Sequence, residues 1–218
     1  MRTENRKVRT LLLGHRGARG SRHIPENTLA SFELCLQHGC DGFEFDVRRS
    51  ADGVAVVCHD PVVRGMEIAA TPARTLALPR LEEVLRKFAA WAFLDIELKV
   101  AGLERRTAAF LRQLPPPRGY VVSSFLPEVL TTLHALDSAI PLGLIYEDRR
   151  DIERWRELPV QWVMPRLDLI HEAMVDSLHT ADKKVMVWTV NRLHDIQRLA
   201  DWGVDAIVSD ETELLGTR

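Results

Sequence analysis

Gly42-Phe43-Glu44-Phe45-Asp46-Val47-Arg48 reads as a β-strand with two unlike faces. A strand period of two sends Glu44 and Asp46 to one side and Phe45 and Val47 to the other. Working outward, short apolar runs of the same kind recur at residues 10–15, 92–98, 119–124, 141–146, 161–165, 184–190 and 205–209, which makes eight with this one. Helical patterns fill most of the intervals. Residues 28–38 carry Leu29, Phe32 and Leu36 on one face, with Asn27 or Thr28 as N-cap and Gly39 past the end. Further patterns cover 81–90, 103–114, 127–136 (opened by Pro127), a weaker stretch at about 149–157, then 171–182 and 192–202. Asn191 is the expected cap of the last one, and Gly203 its stop. Strands alternating with helices define an α/β protein with a parallel sheet wrapped by helices. Closed, that is a (β/α)₈ TIM barrel; an open doubly wound sheet shows the same alternation, and periodicity does not separate the two.

One run falls outside the alternation. Val54 to His59 also reads as a strand, and Asp52-Gly53 between two apolar runs signals a hairpin after the second strand. A turn centred on Ala51 and Asp52 sets Val57 opposite Asp46 and His59 opposite Glu44. The following residues, 61–80, with Pro61, Pro72 and Pro79, form a short insertion.

The length of 218 residues suits one domain spanning 1–218, near the lower end for a barrel, which is about 200 residues. Lys+Arg 29 against Asp+Glu 31 gives a formal net charge of -2, which offers no basic field for nucleic acid and no polybasic face for anionic lipid. Three cysteines, Cys35, Cys40 and Cys58, are too few and too odd for a disulfide framework, so reduced thiols are expected. The opening Met1–Lys7 is polar, and Leu11–Leu13 is too short for a signal core. No stretch approaches the roughly 20 apolar residues of a membrane span. The expectation is a cytoplasmic protein without a stable membrane anchor. Nothing in the sequence speaks to its oligomeric state.

In a TIM barrel, catalytic groups project from the C-terminal ends of the strands. Those ends read His15-Arg16, Glu44 with Asp46, His59-Asp60, Asp95 with Glu97 and Lys99, Ser123-Ser124, Trp188 to Asn191, and Ser209-Asp210. Asp95, Glu97 and Lys99 share one strand face. Carboxylates gathered in a barrel mouth repel one another and lose hydration. A hard divalent cation, Mg²⁺ or Ca²⁺, relieves both. Each residue also has a plainer reading: Glu44 and Asp46 as the outer face of an edge strand, His15 or His59 as a satisfied histidine, Lys99 as a solvated strand end, Trp188 as rim packing. The joint pattern favours chemistry, because nearly every polar residue within apolar strand falls at a C-terminal end. Asp60 follows His59 directly and is a weak candidate to orient that ring, since adjacent strand residues face opposite ways.

The ordered set His15-Arg16-Gly17, Pro25-Glu26-Asn27-Thr28, Glu44-Phe45-Asp46, His59-Asp60, Leu81-Glu82-Glu83-Val84-Leu85, Glu97-Leu98-Lys99, Val187-Trp188-Thr189-Val190-Asn191 and Gly203 to Asp210 resembles the glycerophosphodiester phosphodiesterase family. The resemblance covers about residues 11–212 and implies the closed barrel. It also implies that Glu44, Asp46 and Glu97 hold the divalent metal and that His15 and His59 are the acid–base pair. Arg16 and Lys99 would contact the phosphate, Trp188 the glycerol or leaving-group side, and Asn27 would support the metal shell. The implied reaction is hydrolysis of a small glycerophosphodiester to sn-glycerol 3-phosphate and an alcohol. A lysophospholipase D or sphingomyelinase D type enzyme, and a non-catalytic phosphodiester-binding barrel, are the rival readings. Residues 61–80 are shorter than the matching segment of many members, which implies either a more open mouth or a preference for small head groups.

Overall fold

The computed structural model of the protein describes residues 9–215; the polar opening Met1–Lys7 lies outside the described residues. In chain order the elements are β1 (Leu11–Gly14), α1 (Leu29–Gln37), β2 (Gly42–Arg49), β3 (Ala55–Val57), β4 (Val62–Val63), β5 (Met66–Glu67), α2 (Ala73–Leu76), α3 (Leu81–Phe88), β6 (Phe93–Leu98), α4 (Glu104–Gln113), β7 (Tyr120–Ser124), α5 (Pro127–Leu136), β8 (Leu142–Tyr146), β9 (Trp162–Pro165), α6 (Glu172–Thr180), β10 (Lys184–Val187), α7 (Leu193–Asp201), β11 (Ala206–Ser209) and α8 (Thr212–Leu215). The parallel order β1-β2-β6-β7-β8-β9-β10-β11 returns to β1, which pairs with both β2 and β11. That closure makes a (β/α)₈ barrel and excludes the open sheet.

The pleat separates two cores. Leu13, Phe93, Val121, Ile145, Trp162, Met164, Met186, Ala206 and Val208 fill the barrel interior. Outward-facing residues pack beneath the helices. On β2, Phe43 stacks on Phe32 of α1 with ring centroids 4.2 Å apart, and meets Phe88 of α3 edge-on at 5.2 Å. Such pairs add about 0.5–1.5 kcal/mol beyond area burial. With Phe43, Phe45 and Val47 committed to the helices, Glu44 and Asp46 are left only the barrel interior.

Gly42 lets β2 reach β6: a Cβ there would lie 1.8 Å from the Phe93 carbonyl oxygen. Gly42→Ala is expected to cost about 3 kcal/mol, at the upper end for overpacking. Urea unfolding reads this directly, and an unchanged midpoint would contradict the pairing.

The hairpin differs by one residue from the two-residue turn expected. Val57 lies opposite Val47 and Ala55 opposite Arg49, so Val57 does not face Asp46, nor His59 Glu44. Ala51 and Asp52 are the turn centre, with the Gly53 N–H donating to the Ser50 carbonyl at 2.9 Å. Gly53 then takes φ +74 and adds a third loop residue, a left-handed step that a side chain disfavours. β3 stops at Val57, so the slip does not carry His59 off the site. Cys58 N donates to the Asp46 carbonyl at 3.0 Å, and the His59 carbonyl accepts from Arg48 Nε at 2.6 Å.

Two smaller expectations are corrected. Residues 149–157 form two 3₁₀ turns, Arg149–Asp151 and Arg154–Glu157, rather than a helix. The Asp148 side chain draws the Arg150 N–H into a local turn, and Ile152, Trp155 and Leu158 at a spacing of three suit a 3₁₀ path onto the core. Arg192, not Asn191, stands at the start of α7, because the Asn191 amide is engaged with Asp210. Thr28 is the N-cap of α1, accepting from Ser31 N. The insertion 61–80 is ordered by a small core of its own, Ile68, Ala73 and Leu76 against Val56.

Candidate active site

The barrel mouth opens into a cavity of about 350 Å³ lined by His15, Arg16, Glu44, His59, Asp95, Glu97, Lys99 and Trp188, among others. Within it, one carboxylate oxygen from each of Glu44, Asp46 and Glu97 lies within 4.8 Å of the other two. The β2–β6 register explains the convergence: Glu44 is paired with Asp95 and Asp46 with Glu97, on inward positions of adjacent strands. Asn27 holds Asp46 from the far side, its Nδ2 donating to Asp46 Oδ2 at 2.8 Å. Arg16 N donates to Glu44 Oε2 at 2.9 Å, and Arg16 Nε lies 3.2 Å from Asp46 Oδ2. Arg16 and Asn27 both have positive φ, 52° and 57°, a strained backbone that brings these two groups onto the acids.

Four buried acids, Glu44, Asp46, Asp95 and Glu97, face two fixed cations, Arg16 and Lys99. Burial pushes the Glu44 carboxyl well above the ordinary range, helped by Asp46, Glu97 and Asp95. Burial and Asp46 push Glu97 up to about 7, although Lys99 Nζ lies 2.7 Å away and opposes the shift. Burial likewise takes Asp95 to about 7 against the hydrogen bond from Ser123 Oγ at 2.6 Å. Asp46 goes the other way: burial would raise it, but Lys99, Arg16 and Asn27 together hold it low. Burial would lower Lys99, yet Glu97 and Asp46 keep it raised and charged. The surplus of negative groups over fixed cations is what a divalent ion would balance. Glu44 Oε1 is also buried without a hydrogen-bond partner among the described residues. A donor set of three carboxylates fits a hard, oxygen-seeking cation.

His15 Nδ1 lies 2.7 Å from Asp210 Oδ1, and its Nε2 points inward, 3.8 Å from Glu44 Oε2. Asp210 is a residue whose role sequence reasoning missed. Its position in the closing run Gly203–Asp210 was visible, but not its contact with a histidine at the other end of the chain. Asn191 Nδ2 donates to Asp210 Oδ2 at 2.7 Å, and Arg19 lies 3.1 Å from Oδ1. Burial would raise the Asp210 carboxyl, but His15, Asn191 and Arg19 hold it well below the usual carboxylate range. A fixed anion on Nδ1 leaves Nε2 as the working nitrogen. Asp210→Asn is therefore expected to lower kcat about 10–100-fold, the loss typical when an imidazole's orienting partner is removed. Circular dichroism and kcat measured together would test it; full turnover in that variant would leave Asp210 a structural residue.

His59 is oriented in the same way by Asp60, with Nδ1 and Oδ1 2.7 Å apart. The sequence offered this contact only weakly because of strand alternation, and that alternation lapses once β3 ends at Val57. Trp188 lines the mouth beside Phe125, edge to face at 5.7 Å, with Nε1 donating to the Met164 carbonyl. All nine residues singled out by the sequence thus surround one mouth, eight lining the cavity or completing its acidic cluster and Asn27 supporting Asp46.

Such a mouth suits phosphodiester hydrolysis, and the family match and relatives place the chain among the phosphoric diester hydrolases. The profile of the glycerophosphoryl diester phosphodiesterase family matches residues 15–92 and 78–214, and the chain belongs to that family. A glycerophosphodiester phosphodiesterase of Caldanaerobacter subterraneus subsp. tengcongensis is 26% identical over 238 residues, covering 95% of this chain and 97% of the relative. The crystal structure of the Thermotoga maritima glycerophosphodiester phosphodiesterase superposes with a TM-score of 0.82 at 23% identity, covering 94% of this chain and 96% of that one; it shows the fold. A phosphodiesterase of Oleispira antarctica, solved in complex with the product sn-glycerol-3-phosphate, has a TM-score of 0.82 at 27% identity over 94% of each chain.

Proposed function

We propose that this site hydrolyses glycerophosphodiesters to sn-glycerol 3-phosphate and an alcohol, using a divalent cation held by Glu44, Asp46 and Glu97. The observation that carries the reading is the convergence of those three carboxylates and two oriented imidazoles on one cavity. When bound, the cation supplies Lewis-acid polarisation of the phosphoryl group and charge neutralisation. Arg16 and Lys99 bring fixed positive charge against the non-bridging oxygens; Arg offers a planar two-point clamp, Lys a point charge. Asn27 holds Asp46 by its Oδ2, and Oδ1 lies on the Lys99 side, 3.4 Å from Nζ. His15 and His59 share the proton work through their Nε2 atoms: one takes a proton from the nucleophile, either water or the neighbouring glycerol hydroxyl whose cyclic phosphate water then opens, while the other gives one to the departing alkoxide. Trp188 bounds the volume left for the organic part of the substrate.

The Oleispira relative's product supports the choice of products. The test is release of glycerol 3-phosphate from glycerophosphodiesters under metal titration. Metal binding without turnover would favour a non-catalytic barrel. A lysophospholipase D or sphingomyelinase D type enzyme needs an apolar platform running out from the mouth. Among the described residues, the large exposed apolar side chains are Val62, Trp91 and Leu193. Val62 is on the insertion beside β2, Leu193 opens α7, and Trp91 precedes β6 at the opposite end of the barrel. These are separate sectors, so the small-substrate reading is favoured. Lysophosphatidylcholine assayed beside glycerophosphocholine separates the two.

A further inference from the structure

The cavity has two unlike halves. The ends of β1, β2 and β6, with His59, supply its charged side. The ends of β7 to β11 supply Phe125, Ile145, Met164, Met186, Trp188 and Val208. Hydrogen-bonding capacity on this second side is already used. Trp188 Nε1 donates to the Met164 carbonyl at 2.9 Å. Away from Glu147, a hydroxylated group pressed against this wall would leave water and gain no partner, which is unfavourable.

One charge belongs to the apolar half: Glu147, just beyond β8, lines the same cavity. Its cationic neighbour is only loosely engaged with it. Arg166 turns two nitrogens to Asp168 at 2.7 and 3.0 Å and comes no nearer than 3.6 Å to Glu147. Two aromatic rings set edge to face, two polarisable and adaptable thioethers and one under-engaged carboxylate thus surround a space without free donors. A methylated ammonium matches that surface. Its charge is spread over methyl groups, it has no N–H to satisfy, and it is attracted by the Trp188 ring and the carboxylate, the Phe125 ring already having Lys99 Nζ 5.5 Å from its centroid. A primary ammonium would need up to three acceptors, and Glu147 is the acceptor on offer.

We propose that the Phe125–Glu147–Trp188 side of the mouth is a binding site for a quaternary ammonium group, so that the preferred substrates are phosphodiesters of choline-type alcohols. The proposal rests on the phosphodiesterase reading above and names its substrate class. A zwitterion then lies across the mouth with its phosphate against Arg16 and Lys99 and its cation against Glu147. The hydroxylated arm falls on the His59 side, where Glu26, Thr28 and Asp60 face an adjoining cavity of about 410 Å³.

The test compares glycerophosphocholine with glycerophosphoglycerol and with the 3,3-dimethylbutyl ester, in which carbon replaces the quaternary nitrogen. The wild-type enzyme and Glu147→Gln are assayed with the same metal. Expected is a kcat/KM for the choline ester about 10-fold or more above both others, which corresponds to one decade in the rate constant. In Glu147→Gln the ratio of choline to dimethylbutyl ester falls toward one. Equal or lower kcat/KM for the choline ester, or a ratio unmoved by Glu147→Gln, overturns the proposal. Calorimetric binding of phosphocholine against 3,3-dimethylbutyl phosphate, both monoesters, reads the same ratio without turnover. If no diester were hydrolysed, the phosphodiesterase reading would fall, and calorimetry would still decide the ammonium site: tighter phosphocholine binding supports it, equal binding refutes it.

Discussion

His15→Ala and His59→Ala should each lower kcat about 10²–10⁴-fold, the usual worth of a positioned general acid or base. Each ring has its Nδ1 held by a carboxylate at 2.7 Å, Asp210 for His15 and Asp60 for His59, which leaves Nε2 for the substrate. Neither ring belongs to an apolar core, so the unfolding midpoint should move little while turnover collapses. Glycerol 3-phosphate release measures the effect. Near-normal turnover in either variant would remove that histidine from the proton transfer. The two orienting acids should not matter equally. Asp210 is only 17% exposed and is gripped by Asn191 and Arg19, whereas Asp60 is 73% exposed and its pairing is screened by water. Asp60→Asn should therefore cost less than Asp210→Asn.

Chelation should abolish activity, and added Mg²⁺ or Ca²⁺ should restore it. Loss of the cation would leave four buried acids with only Arg16 and Lys99 to oppose them. Glu97→Gln should weaken the metal response more than Asp95→Asn. Asp95 sits nearer the start of β6, with Oδ1 engaged by Ser123 Oγ, while Glu97 belongs to the converging triad. The opposite order of effects would mean that the wrong carboxylate has been assigned.

The pH dependence has a definite sign. Ligands must be deprotonated to hold a cation, and Glu97 titrates at about 7, raised by burial and by Asp46. Metal affinity should therefore rise with pH across neutrality. Before metal is added, Glu97 opposes folding at higher pH. Its folded value lies above the ordinary 4.5, so its contribution to stability is complete below pH 4.5 and lost as pH rises through about 7. Bound cation reverses that loss. A metal concentration of 100 times Kd adds about 2.7 kcal/mol to the stability of the native state. Thermal unfolding at pH 8 with and without Mg²⁺ or Ca²⁺ measures it, and an unchanged Tm with both ions would sink the cation site.

The amino-acid sequence by itself determined the local alternation. The period-two pattern Glu44-Phe45-Asp46 is decided by Cβ geometry within the strand, and so is the shared face of Asp95 and Glu97. The eight strand segments, a cap at Asn27 or Thr28 and Pro127 at the start of α5 are equally local matters of chain stiffness and hydrogen bonding. Through resemblance, the ordered motifs added the closed barrel and the expectation that His15 and His59 form the acid–base pair. Only the tertiary structure decided what depends on contacts between distant segments. One left-handed residue, Gly53, shifts the hairpin by a position that composition does not reveal. The barrel closes because β1 reaches both β2 and β11, which brings Asp210 onto His15 across 195 residues. Glu147 was an unremarked acid beyond the fifth parallel strand until barrel closure set it opposite the cations. A short-range pattern fixes which way a side chain points; which other side chains it meets depends on how the whole ring of strands shuts.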